Sequence, residues 1–232
     1  MYKVFCRTYQ RTFKLASKFM PYRNPRLIEG EGSLLQLPAV IKEHGVHNVL
    51  IVTDQGIVAL GLMKPLLEEL NAQQIDYVVY DQTVPNPTIA NIEEALALYK
   101  DNHCQGIVAF GGGSPMDCAK GVAARVARPN MMIPQMKGVL KVRKEMPPFF
   151  AIPTTAGTGS EATVAAVVSD SKTHEKYAIM DPVLMPHVAV LDPLLTVKLP
   201  PFVTATTGMD ALTHAVESYI GLSNTEETIR YS

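Results

Sequence analysis

The chain has 232 residues, 47% of them hydrophobic and 19% charged, which suits one large or two small globular domains with a sizeable core. Lys and Arg number 21 against 22 Asp and Glu, a formal net charge of −1, which excludes a polycationic nucleic-acid surface and an acidic tail. Cys6, Cys104 and Cys118 are too few and too scattered for a disulfide framework or a C-x-x-C metal knuckle. Buried thiols in a reducing, cytoplasmic setting and small-molecule chemistry are the expectation.

Residues 1–26 contain no acid and carry Lys3, Arg7, Arg11, Lys14, Lys18, Arg23 and Arg26 among Phe5, Tyr9, Phe13, Leu15, Phe19 and Met20. The pattern predicts a basic amphipathic helix or extension lying on a partner subunit or on anionic lipid. An organellar transit peptide is the minority alternative, since the stretch is poor in serine. Nowhere is there an apolar run of about 18 residues, the length of a membrane span.

Residues 27–199 read as one α/β domain. "VHNVLIVTD" (46–54), "IDYVVYD" (75–81) and "CQGIVAF" (104–110) are short apolar runs rich in β-branched residues, and "GLMKPLLEELNAQ" and "TIANIEEALALYKDNH" between them have helical periodicity. Strand, helix, strand, helix, strand predicts a wound, Rossmann-like parallel sheet with ligands beyond the carboxyl ends of its strands. "FFAIPTT" and "HVAVLDP" supply further strands, "ATVAAVVSD" and "KYAIMD" a hairpin-like excursion, and Pro129 to Pro148 a basic, Met-rich connection.

The polar residues gather at the strand ends. Asp54 closes the first clear run; a carboxylate there accepts from a ribose 2′-OH and repels a 2′-phosphate, favouring NAD over NADP, the alternative being a turn-forming Asp before Gly56. "PNPT" (85–88) reads as a loop feeding the next helix, with Asn86 a candidate ligand contact.

"AFGGGSPMD" (109–117) follows a strand and precedes a helix but matches neither G-x-G-x-x-G nor a Walker loop. Ser114 reads as the N-cap, Pro115 as the first helical residue and Asp117 as the acid of a capping box. A helix N-terminus behind Gly112 and Gly113 favours a diphosphate; the alternative is a tight turn with nothing bound. "IPTTAGTGSEAT" (152–163) crowds hydroxyls and bare backbone into a strand exit, suiting close approach of a polar ligand rather than a plain solvated loop.

From residue 200 to 232 only helical texture follows, read as the start of a helical domain. In "TGMDALTHAVES" (207–218), Asp210 and His214 stand four residues apart, on one face if helical, so both can ligate one divalent ion. The alternative is a carboxylate complementing the helix dipole and an imidazole at a core edge. Fe, Zn, Mn or Ni would suit such a pair, with Fe²⁺ or Zn²⁺ the expected occupants. His44, His47, His103, His174 and His187 read as surface or loop histidines.

Taken in order, "GGGSPMDCAK", "AIPTTAGTGSEAT", "LDPLLT...LPP" and "TGMDALTHAVE" resemble the motifs of the iron-containing (group III) alcohol dehydrogenases, from about Leu27 onward. The resemblance implies a Rossmann-like domain followed by a helical metal-binding domain, as in the dehydroquinate synthase-like superfold. It implies NAD(P)-dependent oxidation of primary alcohols or diols, in a homo-oligomer. By motif, Gly112, Gly113 and Ser114 hold the pyrophosphate, with Asp117 counted in the same site. Thr154, Thr155, Thr158 and Ser160 surround the dinucleotide, Asp54, Asn86 and Lys176 add contacts, and Asp210 and His214 are the first two metal ligands.

No catalytic residue beyond the ligands is assigned. The family binds its metal through Asp and three His, and no histidine follows His214 in this sequence. The expectation is poor turnover by this chain alone. A non-catalytic dinucleotide-binding module associating with an intact paralogue, and a glycerol dehydrogenase-like or dehydroquinate synthase-like enzyme, are the alternatives; "TTAGTGSE" followed by "GMDALTHA" favours the alcohol dehydrogenase branch.

Overall fold

The structure, a computed structural model, describes residues 6–8, 23–221 and 224–232; most of the basic extension expected over 1–26 therefore lies outside the described residues. The described residues form strands β1 (Arg26–Glu29), β2 (Asn48–Val52), β3 (Asp76–Tyr80), β4 (Gly106–Gly111), β5 (Gly138–Val139), β6 (Phe149–Pro153), β7 (Ala165–Asp170), β8 (Glu175–Met180) and β9 (Val188–Leu191). The helices are α1 (Leu37–Glu43), α2 (Gln55–Ala59), α3 (Lys64–Ala72), α4 (Ile89–Asp101), α5 (Gly113–Ala127), α6 (Pro201–Ile220) and α7 (Glu226–Arg230).

Six strands pair in the order β1-β9-β6-β4-β2-β3, each neighbour parallel to the next. Parallel neighbours cannot be joined by tight hairpins, so the helices serve as crossovers. Every residue of β4 and β6 is buried, which is why these strands read as unbroken apolar runs rather than as alternations. Along them the side chains still alternate: Ile107, Ala109, Phe149 and Ala151 join the core beneath α4 and α5, while Val108, Phe110, Phe150 and Ile152 join the core beneath α1, α2 and α3. Each large apolar side chain so buried contributes about 1.5–3 kcal/mol before the entropy of ordering is counted.

From β2 the chain runs outward to β3 and then returns past β2 to β4. The connections beyond β2 and β4 thus diverge, and this reversal opens a crevice at the carboxyl ends of the strands. Asp54, residues 81–85, the glycine turn and the hydroxyl loop all leave the sheet at that end.

The expected hairpin-like excursion is the antiparallel pair β7 and β8, in register from Ala165 opposite Met180 to Asp170 opposite Glu175. The Met-rich stretch is more ordered than a connection, because β5 pairs with β8 and the buried Asp181 carboxylate accepts from the N–H groups of Val142 and Arg143 at 3.1 and 2.9 Å. Neither β1 nor β5 was foreseen: β1 buries only Ile28, and β5 is two residues long, so neither carries a periodic signal. Cys104 and Cys118 are buried free thiols as expected, but Cys6 is only partly covered.

α6 spans 20 residues and buries none of them. Phe202, Met209, Leu212, Val216, Tyr219 and Ile220 are exposed along it. Among the described residues no helix is long and apolar enough to cross a membrane.

Candidate functional site

The strand-to-helix turn is tighter than the sequence suggested. Gly112, with φ −81° and ψ −159°, is the N-cap, and α5 already begins at Gly113 with no side chain capping it. Ser114 is therefore not the cap: it sits inside the first turn, and its Oγ accepts from the Asn86 N–H at 3.2 Å. Pro115 falls at the third helical position rather than the first, and Asp117 lies beyond any capping box. The cause is backbone freedom at Gly111, whose φ of +148° lets the chain fold back so closely that a Cβ there would lie 2.7 Å from Pro115 Cγ. The N–H groups of Gly113 and Ser114 thus have no intrahelical acceptor and mark the positive end of a 15-residue helix.

Opposite this turn stands the hydroxyl loop after β6. A Cβ on Gly112 would meet Thr155 Cγ2 at 3.2 Å, and one on Gly113 would meet Thr158 Cγ2 at 3.3 Å and Ser160 Oγ at 3.5 Å. The glycines and the threonines are therefore two walls in contact. Thr158 Oγ1 accepts from the Ser160 N–H at 3.3 Å, whereas the buried hydroxyls of Thr154 and Thr155 have no partner among the described residues. Orphaned hydroxyls beside an uncapped helix end suit an oxygen-rich anionic ligand such as a dinucleotide.

Asp54 acts as the N-cap of α2, its Oδ1 accepting from the Ile57 N–H at 3.0 Å. The turn-forming alternative is thus realised, yet the residue also lines a cavity of ≈ 590 Å³ together with Asp81, Gln82, Gly112, Gly113, Thr154 and Thr155. The same cavity reaches Leu199, Pro200 and Val203, which the sequence reading did not assign; nothing but the crevice itself distinguishes these apolar residues from core.

A neighbouring cavity of ≈ 440 Å³ shares Gly113 and Ser114 and is lined by Asn86, Asp117, Thr158, Ser160, Lys176, Asp210 and His214. Asn86 adopts the left-handed backbone conformation, φ +57°, and its Oδ1 accepts from Lys176 Nζ at 2.5 Å. Burial pushes the Asp117 carboxyl up to about 6 in spite of the cations of Lys120 and Lys176.

Asp210 and His214 lie one turn apart on α6, Oδ1 and Nε2 separated by 3.8 Å, with both side chains about half exposed. Metal bonds of about 2.0–2.2 Å reach from one ion to both atoms, so a carboxylate and an imidazole here fit a divalent cation. They supply two ligands; among the described residues no group of three or more His, Cys, Asp or Glu gathers to hold a metal.

His187, expected on the surface or in a loop, lies in the loop before β9, partly buried, where its Nδ1 accepts from the Phe149 N–H at 3.1 Å. The sequence pattern does not single out Lys120 within "CAKGVAA", although one cation amid small apolar helix residues is itself a signal.

A model of the family described as iron-containing alcohol dehydrogenase matches residues 24–193. Alcohol dehydrogenase 4 of Schizosaccharomyces pombe is 46% identical over 194 residues, which are 82% of this chain and 45% of that protein. Among solved structures, an alcohol dehydrogenase from Oenococcus oeni superposes with a TM-score of 0.86 at 33% identity, covering 91% of this chain and 56% of the other. Sulfoacetaldehyde reductase from Bifidobacterium kashiwanohense in complex with NAD⁺ superposes with a TM-score of 0.75 at 32% identity, covering 87% and 53%. The chain spans about half the length of the curated relatives it matches.

Proposed function

Because the chain belongs to the iron-containing alcohol dehydrogenase family, we propose that it forms the dinucleotide-binding half, and the first wall of the metal site, of an NAD-dependent, metal-dependent alcohol dehydrogenase. The substrate class is a primary alcohol or diol and its aldehyde. The observation that carries the proposal is the uncapped N-terminus of α5, which faces the unpartnered hydroxyls of Thr154 and Thr155 and adjoins the cavity that ends at Asp210 and His214.

The N–H groups of Gly113 and Ser114 bind the diphosphate at the positive helix end. Asp54 keeps one carboxylate oxygen for its cap and offers the other to a ribose hydroxyl, which disfavours a 2′-phosphate; the solved relative that holds NAD⁺ supports the same preference. Ser114, Asn86 and Lys176 form a hydrogen-bonded chain along the second cavity that orients whatever lies between phosphate and metal. When bound, a divalent ion supplies Lewis acidity toward a hydroxyl or carbonyl oxygen and a nicotinamide supplies hydride exchange. Asp210 and His214 would hold the ion, and the two cavities adjoin at Gly113 and Ser114, so that positioning could account for about 7–11 kcal/mol of barrier lowering.

Buried, unreactive thiols at Cys104 and Cys118, pushed up to about 11 and about 12 by burial, support a cytoplasmic setting. A homo-oligomer belongs to the same proposal and is checked by light scattering.

Calorimetry of NAD binding to the 232-residue chain, with and without Fe²⁺ or Zn²⁺, tests the reading alongside alcohol-dependent NADH formation. Absence of NAD binding by a folded chain would defeat it. The competing reading is a non-catalytic binding module that associates with an intact paralogue. Tight NAD binding indifferent to metal and without turnover would select that module.

A further inference from the structure

We propose that Lys120 is a positioning residue of the cofactor crevice, a buried strut that fixes the hydroxyl loop against the first turns of α5; the proposal rests on the dinucleotide reading above. The side chain is fully buried. Its Nζ donates to the carbonyl oxygens of Ser160, Thr163 and Ala165 at 2.7, 2.7 and 3.0 Å and to Thr163 Oγ1 at 2.8 Å. An ammonium has three hydrogens, so four acceptors share them, and every one of those acceptors comes from residues 160–165.

A charge is costly to bury, and its neighbours on α5, Cys118, Ala119, Gly121 and Val122, are core residues. An apolar side chain would pack there at no electrostatic cost. What the lysine adds is a set of directional bonds that tie the loop after β6, at Ser160 and Thr163, to the start of β7 at Ala165. Burial pulls the Lys120 ammonium down to about 8, while Asp117 on α5 and Glu161 on the loop favour the charged form and oppose that pull.

The segment it holds carries Ser160 and follows Thr158, the two residues that would meet a Cβ on Gly113 at 3.5 and 3.3 Å. The gap between the phosphate-binding turn and the hydroxyl wall is thus at van der Waals contact. A loop shift of well under an ångström, of the kind a lost strut permits, changes the width of the site. Lys120 lines neither crevice cavity itself, but it bonds Ser160, Thr163 and Ala165, which line the second, so its influence passes through the loop.

The test compares the wild-type chain with Lys120→Met and Lys120→Ala, reading amide hydrogen exchange segment by segment without ligand and then NAD affinity by calorimetry. In Lys120→Met, exchange is expected to rise across 158–165 while β2, β4 and β6 stay protected. NAD affinity should fall about tenfold, the order of one lost interaction in such a network. n-Propylammonium, which replaces the missing part of the side chain, should restore loop protection and affinity in Lys120→Ala and do nothing for Lys120→Met. Wild-type loop protection and affinity in both variants would overturn the proposal. So would exchange that rises evenly across the sheet with no rescue by the amine, because Lys120 would then serve folding alone. A wild-type chain that does not bind NAD would instead remove the dinucleotide reading, and the exchange pattern with its amine rescue would still decide on the strut.

Discussion

A Cβ built on Gly157 would lie 2.1 Å from the carbonyl oxygen of Thr207, so the hydroxyl loop and α6 cross backbone to backbone, at a point only glycine permits. This crossing sets how far Asp210 and His214 stand from the glycine turn. Since α6 buries no residue, the strain of a substitution is released by moving the helix rather than by unfolding the sheet. For Gly157→Ala, global stability should change by no more than about 1 kcal/mol. Any enhancement of NAD binding by Zn²⁺ should be lost. Paired titrations of NAD with and without Zn²⁺ measure this, and an unchanged enhancement would show that the crossing does not position the metal pair.

Asp210→Ala and His214→Ala each remove one of the two half-exposed side chains, 3.8 Å apart, proposed to hold the metal. Either change should abolish saturable Zn²⁺ binding in calorimetry. Stability without metal should shift by less than about 0.5 kcal/mol, as for surface sites generally. Retained binding in both variants would place the ion elsewhere.

Gly113→Val introduces a branched side chain where even a single Cβ meets Thr158 at 3.3 Å, and it should weaken NAD binding by at least about tenfold, or 1.4 kcal/mol. Intact affinity would mean that the turn is not the phosphate cradle.

Asp54→Gly should relax the preference for NAD over NADP, at a cost of only roughly a few tenths of a kcal/mol from the lost cap of α2, since glycine is itself a fair N-cap. Asp54→Asn keeps a capping oxygen and removes only the charge. The ratio of the two cofactor affinities in Asp54→Asn is therefore the cleaner measurement, and an unchanged ratio would take Asp54 out of the ribose site.

His187 is held down to about 4, first by burial and then by the nearby Arg23 and His44 charges, while its Nδ1 accepts from Phe149 N–H. A depressed imidazole contributes stability above its ordinary value of 6.5 and loses it as the pH falls toward 4. Wild type should therefore lose more stability across that window than His187→Asn, as followed by urea unfolding at stepped pH. Parallel curves would discharge His187 from the acid response.

The periodic parts of the fold were legible residue by residue. β2, β4 and β6 announce themselves as apolar runs because parallel strands are buried on both faces, and the hairpin of β7 and β8 was visible in two β-rich segments around a polar turn. The misreading at Ser114 shows the limit. Ser-Pro-x-Asp satisfies a capping pattern, but Gly111 lets the helix start two residues earlier, and the Asn86 N–H, which belongs to another loop, claims the serine oxygen.

The sequence by itself determined which backbone could turn tightly, which faces were apolar and that Asp210 and His214 stand one helical turn apart, since these depend on neighbours within a few residues. Only the tertiary structure decided that Asp54, Asn86, Gly113, Thr155 and Lys176 share one crevice. That depends on the order β1-β9-β6-β4-β2-β3, which brings strand ends distant in the chain together. The same holds for Lys120, whose burial can be judged only once the carbonyls of 160–165 are seen around its ammonium, because a charge leaves water only where its partners are already in place.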